Sequence, residues 1–355
     1  VMVSLLGITT IFISVLKHLT MISTKIPIVY HSNYNIHLYG LENILHSFDS
    51  KKYGKVFDRL CQRNMWNYDN FSHPESAISD EDLLLVHSKR YLDSVVSSST
   101  EIAKITEVPF LSLIPMWVAR PRLLQPMKLA CEGTVLATSL AMNHGWAINL
   151  SGGYHHAKPD NGEGFCIYAD VAIAIRKFLG SLFHRPMIID LDAHQGNGYV
   201  SAFVDVGSAE GELTYTKHSN IKIFDMYNAD VYPRDSFARD FIDYDFPLRR
   251  DTPTSAYLTK LKKHLPKALT DAKPDIVFYN AGSDILQGDP IGALSVSAEG
   301  IIERDEEVFR HCRERNIPIV MVLSGGYTQQ SSDVIFRSIQ NLLDKGIISL
   351  PVTSS

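Results

Sequence analysis

Segments typical of β-strands alternate with segments typical of α-helices from residue 146 to near the end of the chain. The strand candidates are Trp146–Leu150, Pro186–Asp190, Ile221–Met226, Ile276–Tyr279 and Ile319–Leu323, and the helix candidates are Ala169–Leu179, Tyr257–Leu269, Ala298–Arg313 and Val334–Leu343. Such alternation implies parallel strands joined by right-handed helical crossovers, with helices on both faces of the sheet. We therefore predict one α/β domain with three layers, α/β/α, built on a mainly parallel central sheet.

The first part of the chain gives sparser signals. They predict a short strand at Ile26–Tyr30 and helices at Glu81–Val86, Tyr91–Val96 and Leu129–Met142. Four prolines lie between Val108 and Pro126, and they predict a loop because proline interrupts regular elements. Apolar side chains between the prolines indicate that this loop buries one side.

The stretch 188–198 reads IIDLDAHQGNG and places three polar side chains at alternating positions. In a strand, Asp190, Asp192 and His194 point to one face and the apolar residues between them to the other. The glycines that follow end the strand, so the three lie at its carboxyl end, where open α/β sheets build their sites. Two carboxylates crowded beside an imidazole raise one another's proton affinity unless a cation compensates them. The pattern favours a metal site; the alternative is a set of polar residues that caps the next element.

Three further polar clusters follow predicted strands: Ser151–His156 (SGGYHH), Asn280–Asp284 (NAGSD) and Ser324–Tyr327 (SGGY). Taken singly, each has an ordinary explanation, since paired histidines are often structural, Gly-Gly-Tyr is often a turn and an aspartate often caps a helix. Together with residues 190–194, however, they form four loops at one edge of the sheet. The combination predicts a single functional site at that edge.

Composition narrows the class of protein. Hydrophobic residues make up 45% of the chain and charged residues 21%, which is typical of a folded globular protein. The net charge of -5 argues against direct binding of nucleic acid, which needs a basic face. The four cysteines, at positions 61, 131, 166 and 312, form no CxxC pair and suggest neither a disulfide framework nor a thiolate metal site. We therefore expect a reducing compartment, the cytoplasm or the nucleus.

Residues Val3–Leu16 form a nearly unbroken apolar run. It is shorter than the roughly 20 residues that a membrane-spanning helix needs. It also lacks the basic leader of a signal peptide, because Lys17 and Lys25 follow it. Three interpretations remain: an upstream extension with Met21 as the functional start, a weak membrane anchor, or a helix that packs on the domain. We favour the first and expect a chain that begins at Met21 to fold and keep its activity.

The motifs together resemble the histone deacetylase family of zinc amidohydrolases, which has the arginase-like α/β fold. The resemblance covers about residues 26 to 345 and is closest to the class IV branch, on the segments Gly145–Asn149, Ile189–Gly198 and Tyr279–Leu286. Two positions depart from that branch: the run 155–158 (HHAK) is more similar to class I, and Ser47 stands where class IV suggests proline. The resemblance implies an extension at 1–25, one catalytic domain at 26–348 and a tail at 349–355.

The resemblance also implies a set of metal ligands. Asp192, His194 and Asp284 would bind a catalytic Zn²⁺, and three protein ligands leave one position open for water and substrate. A structural K⁺ site is implied as well. It would use Asp190, Asp225 and the backbone around Asp192 and His194.

Further roles follow from the same resemblance. His155 and His156 would move protons, one from the attacking water and one to the leaving amine. Asp190 would orient His155, and Asn197 stands where many members of the family place an aspartate that contacts His156. Tyr327 would donate its hydroxyl to the oxyanion of the tetrahedral intermediate. Gly325–Gly326 would let the Tyr327 ring move, and the lining of an acyl-lysine tunnel would include Gly164, Phe165 and Tyr232.

The predicted activity is hydrolysis of the N6-acyl-lysine amide in proteins such as histones, with acetyl or a longer fatty acyl group. The alternatives are hydrolysis of acetylated polyamines and, in a different class, a non-catalytic acyl-lysine binder. Arginase-type chemistry is disfavoured because a two-metal cluster needs a second carboxylate set, and Asp289 is the only further aspartate close after Asp284. The expected partners are acylated lysine side chains, with no firm membrane contact; the sequence does not predict an oligomeric state.

Overall fold

The computed structural model describes residues 25–36, 51–209 and 212–351. The apolar run Val3–Leu16, Met21 and Ser47 lie outside the described residues. Within the described part of the chain, no helix is both long enough and apolar enough to cross a membrane.

Eight strands form one sheet. They are β1 (Ile26–Val29), β2 (Phe71–Ser72), β3 (Trp146–Asn149), β4 (Pro186–Asp190), β7 (Lys222–Asp225), β8 (Tyr244–Asp245), β9 (Ile276–Asn280) and β10 (Ile319–Val322). Their order across the sheet is β2-β1-β3-β10-β9-β4-β7-β8, and all neighbouring pairs are parallel. A separate antiparallel hairpin consists of Val204–Ala209 (β5) and Glu212–Lys217 (β6). The predicted parallel sheet is confirmed.

Helices fill the connections between the strands. The α-helices are Lys52–Asn64, Asp80–Leu83, Lys89–Ser97, Ser99–Ile105, Met116–Ala119, Gln125–His144, Asp170–Phe178, Asn197–Phe203, Ser236–Arg239, Thr254–Ala272, Ala298–Glu314 and Ser331–Asp344. The helix predicted at 81–86 is shorter in the structure, where it spans Asp80–Leu83 and is followed by turns.

The loop predicted between Val108 and Pro126 is wrong. This segment contains a 3₁₀ helix at Pro109–Leu113, the short helix Met116–Ala119 and a π-helical turn at Arg120–Leu124. Three of the four prolines occupy the first positions of helical elements, and the fourth, Pro115, immediately precedes one. Pro109 and Pro115 stand where a helical element begins, and there the N–H that proline lacks has no partner inside the helix. Pro121 and Pro126 lie in and just after the π-helical turn that separates two contiguous α-helical segments.

Each face of the sheet carries its own apolar core, because alternate residues of a buried strand point to opposite sides. In β4, Ile188 belongs to one core, which the helices 125–144 and 170–178 cover. Met187 and Ile189 belong to the other, which the helices 254–272, 298–314 and 331–344 cover. The three-layer α/β/α architecture is therefore confirmed.

The carboxyl ends of the central strands lie in register. One row of paired residues runs Asn149, Val322, Asn280, Asp190 and Asp225 across β3, β10, β9, β4 and β7. The four polar loops of the sequence therefore begin at the same level of the sheet. This alignment brings together loops that are far apart in the chain.

Candidate metal centre and active site

Asp192, His194 and Asp284 meet just beyond the ends of β4 and β9. Their ligand atoms lie within 4.8 Å of one another, and all three residues are buried. His194 Nδ1 is 2.9 Å from Asp284 Oδ2 and 3.1 Å from Asp192 Oδ1. Among the described residues, this is the only group of three or more His, Cys, Asp or Glu side chains that could hold a metal ion.

Backbone N–H groups fix both carboxylates. Ala193 N donates to Asp284 Oδ1 at 2.9 Å, His194 N to Asp192 Oδ1 at 2.9 Å, and Gly325 N to Asp192 Oδ2 at 3.0 Å. The loops pack so closely here that a Cβ on Gly282 would lie 2.1 Å from Asp192 Oδ2. The carboxylates are thus held in place by the chain itself.

The negative charges of Asp192 and Asp284 favour a cation between them. Burial lowers the pKa of His194, but the carboxylates of Asp192 and Asp284 outweigh burial and hold that pKa well above its usual range. Burial and the neighbouring Asp192 raise the pKa of Asp284 to about 7. A proton on His194 therefore compensates the carboxylates, as a bound cation would. Two carboxylates and one imidazole, buried and converging, suit a borderline metal such as zinc.

His155 and His156 follow β3 and are both buried. His155 Nδ1 lies 2.8 Å from Asp190 Oδ2, and His156 Nδ1 lies 2.9 Å from Asn197 Oδ1. Burial lowers the pKa of His155, yet Asp190 and Asp192 reverse this effect and raise it. Burial, with His155 and His194 nearby, holds the pKa of His156 well below its usual range. The two rings therefore favour opposite protonation states.

Tyr327 lies on the loop after β10. Its backbone N–H donates to Asp289 Oδ2 at 2.9 Å, and burial, followed by Asp284 and Asp192, holds the pKa of its hydroxyl well above the usual range. The hydroxyl thus stays protonated and able to donate. Asp289 also accepts from Ile291 and Gly292, so it organises its own loop.

The two glycines before Tyr327, which the sequence predicts to give mobility, also allow close packing. A Cβ on Gly325 would lie 2.4 Å from Asp284 Oδ2. A Cβ on Gly326, whose φ is +133°, would lie 2.0 Å from Ser283 Oγ. Larger residues would push the loop away from Asp284.

A largely apolar cavity of about 110 Å³ lies at the site. The residues that line it include His155, His156, Gly164, Phe165 and Tyr327. Its lining continues with apolar residues that come mostly from the segment 106–127: Ile36, Val108, Leu111, Leu123, Pro126 and Met127. The histidine pair and a largely apolar wall therefore border the same cavity.

The remaining predicted residues lie close by. The Tyr232 ring packs edge-on against His156, with the ring centroids 5.1 Å apart. Asp225 accepts from Gly196 N at 2.9 Å, and its Oδ1 is buried without a hydrogen-bond partner among the described residues. Burial and the adjacent Asp190 hold the pKa of Asp225 well above its usual range.

Three charged side chains at the site were not predicted from the sequence. Glu163 accepts from Asn197 Nδ2 at 2.7 Å. The buried Lys52 donates from Nζ to the carbonyls of Ser324 at 2.7 Å and of Gly325 at 3.1 Å. The buried Arg304 donates to the carbonyls of Leu191 and Gly282 beneath the metal ligands. Of these, only Arg304 left a signal, because it stands on the apolar face of a predicted helix.

The protein thus has an α/β fold, and its site combines a buried group of potential metal ligands with an adjacent pair of histidines. The family described as "Histone deacetylase domain" matches residues 46–343. Histone deacetylase 2 of Arabidopsis thaliana is 44% identical over 326 residues, which span 92% of this chain and 80% of that protein. The chain therefore belongs to the histone deacetylase family, and it is a hydrolase of the deacetylase type.

The chain is also similar to a further protein and to two solved structures. The acetoin utilization protein AcuC of Staphylococcus aureus is 26% identical over 79% of this chain and 72% of that protein. Among solved structures, the HDA15 HD domain aligns with a TM-score of 0.69 at 18% identity, over 92% of this chain and 90% of that one. An acetylpolyamine aminohydrolase from Burkholderia pseudomallei aligns with a TM-score of 0.65 at 15% identity, over 88% and 97%. These two structures share the fold.

Proposed function

We propose that this protein hydrolyses the amide bond of N6-acyl-lysine in proteins such as histones. Two observations support the proposal. The buried group Asp192, His194 and Asp284 lies beside His155, whose Nε2 is 3.8 Å from Asp192 Oδ1. His155 and His156 also line a largely apolar cavity. Amide hydrolysis needs an activated water, a proton donor for the amine and a donor for the developing oxyanion. This site has a candidate for each.

Asp192, His194 and Asp284 would hold a zinc ion. Their donor set of two carboxylate oxygens and one imidazole nitrogen supports this metal, and three protein ligands are typical of a catalytic zinc site. When bound, zinc supplies Lewis-acid polarisation of the substrate carbonyl and lowers the pKa of a water molecule.

The two histidines would divide the proton transfers. His156 is uncharged near pH 7 and bonded at Nδ1 to an amide oxygen, so its Nε2 accepts a proton from the attacking water. His155 is paired at Nδ1 with the Asp190 carboxylate, which favours its charged form, so it donates a proton to the leaving amine. Environments that push two titrating groups apart in this way suit separate base and acid roles.

Tyr327 would stabilise the negative charge that develops on the substrate oxygen. Its hydroxyl is held in the protonated form, and its ring lines the same cavity as both histidines. A hydrogen bond that strengthens as charge develops lowers the barrier without tightening substrate binding.

The acyl group would enter the apolar part of the cavity. The side chains there, including Val108, Leu111, Leu123 and Met127, offer no charge to an acyl chain. A chain longer than acetyl gains free energy there, at about 0.8 kcal/mol per buried CH₂. The lysine stem would reach the metal along Gly164, Phe165 and Tyr232.

Asp190 and Asp225, with backbone oxygens around Asp192 and His194, would hold a structural potassium ion. The buried Oδ1 of Asp225, which has no hydrogen-bond partner among the described residues, supports this site. Burial raises the pKa of both Asp190 and Asp225, so a cation beside them would stabilise their charged forms.

We further propose that residues 26–348 form the catalytic domain and that the protein works in the cytoplasm or nucleus. The four cysteines are free thiols, and three of them are buried, which fits a reducing compartment. The net charge of -5 supports an enzyme that contacts acylated proteins without contacting nucleic acid directly.

Turnover of three substrate sets tests the proposed reaction: peptides with acetyl-lysine, peptides with myristoyl-lysine, and acetylated polyamines. We expect the zinc-loaded protein to release free lysine side chains from at least one peptide set, with kcat/KM above that for polyamines. Higher kcat/KM on polyamines would identify the alternative enzyme. Binding of acyl-lysine peptides without turnover would identify a non-catalytic binder.

A further inference from the structure

A cluster of half-buried charges surrounds the amide of Asn197, on the side away from His156. Asn197 Nδ2 donates to Glu163 Oε1 at 2.7 Å and reaches Asp235 Oδ2 at 3.4 Å. Lys158 Nζ lies 2.8 Å from Glu163 and 4.0 Å from Asp235. Asn197 itself is buried. The amide therefore links His156 to a carboxylate at the rim of the site.

This contact fixes which way the Asn197 amide points. An ionised carboxylate only accepts hydrogen bonds, so Nδ2 has to face Glu163. In the reversed orientation the amide oxygen would lie against two carboxylates and the NH₂ group would face His156. The Oδ1 atom is thus held toward His156 Nδ1, at 2.9 Å.

The orientation of the amide in turn fixes the tautomer of His156. An amide oxygen cannot donate, so Nδ1 must carry the hydrogen, and Nε2 of the uncharged ring is left as the acceptor. We propose that Glu163 is a positioning residue that selects this tautomer of His156 through Asn197. The inference rests on the proposed function only in that His156 Nε2 is the base.

Glu163 is better placed for this role than Asp235. Its contact with Asn197 is 2.7 Å long, whereas that of Asp235 is 3.4 Å long. The other oxygen of Asp235 already accepts from Ala238 N at 3.0 Å, where it caps a short helix. A purely structural alternative also exists, because Glu163 bonds to the side chains of Lys158 and Tyr232 at the rim. The experiment must separate the two roles.

Substitutions at Glu163 in two backgrounds separate them. In the otherwise unchanged protein, we expect Glu163→Ala to lower kcat about 10- to 100-fold, as the loss of an orienting partner does, with zinc content unchanged. Glu163→Gln should retain most of the activity, because its carbonyl oxygen can still accept from Asn197. Lys158→Ala, which removes the ion pair and keeps the acceptor, should have a smaller effect than Glu163→Ala.

In the Asn197→Asp background the new carboxylate accepts from His156 Nδ1 directly and needs no orientation. Glu163→Ala should then leave kcat unchanged or raise it, because it also removes a like charge beside the carboxylate at position 197. A structural role at the rim predicts the same loss in both backgrounds. Equal losses would overturn the proposal, and so would an unchanged kcat in the Glu163→Ala single variant.

A spectroscopic measurement makes the test independent of turnover. In the zinc-loaded protein, the ¹⁵N resonances of His156, assigned by comparison with His156→Ala, should show hydrogen on Nδ1. Glu163→Ala should give a mixture of the two tautomers. In Glu163→Gln, the tautomer with hydrogen on Nδ1 should be more populated than in Glu163→Ala. An unchanged tautomer in Glu163→Ala would contradict the inference. If the unsubstituted protein hydrolyses no acyl-lysine peptide, the proposed function is wrong. The tautomer of His156 in Glu163→Ala still shows whether Glu163 selects it.

Discussion

His155 and His156 are adjacent and equally buried, but their Nδ1 atoms have different hydrogen-bond partners. These partners give the two residues different acid–base properties. His155 faces the Asp190 carboxylate and His156 faces the Asn197 amide. A carboxylate stabilises the imidazolium by charge, whereas an amide only orients the ring. Burial lowers the pKa of both rings; the carboxylates of Asp190 and Asp192 reverse this effect for His155, whereas the Asn197 amide does not reverse it for His156.

A carboxylate at position 197 should therefore change the pH profile. We expect Asn197→Asp to raise the pKa of His156, because a negative charge favours its protonated form. The base is active only when it is unprotonated, so the acid limb of kcat/KM moves to higher pH. Profiles of both proteins on one acyl-lysine peptide, with zinc content measured, check this. An acid limb that stays in place or moves to lower pH would defeat the prediction.

Removal of the Tyr327 hydroxyl should affect the chemical step alone. We expect Tyr327→Phe to lower kcat by a factor of about 100 to 1,000, the usual cost of losing an oxyanion donor. Zinc content and KM should change little, because the hydroxyl is no predicted ligand. Tyr215→Phe, at an exposed tyrosine of the β5–β6 hairpin, is the matched control. If both variants keep full activity, Tyr327 only shapes its loop.

The sequence predicted which residues gather at the site, but not what connects them. Asp192 and His194 are two positions apart and follow a recognisable strand, so their proximity is a local property. The link from His156 to Glu163 passes through Asn197, 34 positions from Glu163. Only the folded chain brings these loops together, so no local pattern could reveal the link.

At the scale of elements, the site depends on strands that end at the same level and on the helix beneath them. Hydrophobic runs and glycines predicted the central strands, because a buried parallel strand has a strong local signal. The four prolines between Val108 and Pro126 predict a loop, and that prediction is wrong. Proline is compatible with a helix at its start and beside a π-helical turn, where the regular hydrogen bonding already changes. A count of prolines does not reveal either position.

Arg304 connects the helix Ala298–Glu314 to the loops that bear the ligands. It pairs with Asp305 at 2.8 Å and is almost completely buried. We expect Arg304→Met to lower the free energy of unfolding by about 3–5 kcal/mol, because a buried charge loses its partner. Denaturant unfolding measures this. Arg310→Met, on the same helix in partly exposed pairs, should cost about 1 kcal/mol or less; equal losses would contradict the account.

In the molecule as a whole, the fold buries several carboxylates close together, and protons or cations must compensate them. Asp190, Asp192, Asp225 and Asp284 are all buried near the carboxyl end of the sheet. Such clusters destabilise the folded state unless cations or protons compensate them. Metal binding and folding should therefore be coupled.

Zinc should stabilise the metal-free protein. At a free concentration 100 times its Kd, a ligand of the native state adds about 2.7 kcal/mol, so we expect Tm to rise by several degrees. Thermal unfolding with and without zinc measures this, and a chelator should reverse the gain. Asp192→Ala should show no comparable rise, since it lacks one ligand. A Tm that does not respond to zinc in the unsubstituted protein would contradict the proposed coupling.

Zinc content and turnover, measured on the same samples of the unsubstituted protein and of Asp284→Ala, test whether this site binds the metal on which hydrolysis depends. We expect about one catalytic zinc per chain and measurable hydrolysis of acyl-lysine peptides in the unsubstituted protein. Asp284→Ala should lose both together, because it removes one of three protein ligands. Full zinc content with full turnover in Asp284→Ala would contradict the assignment of this site.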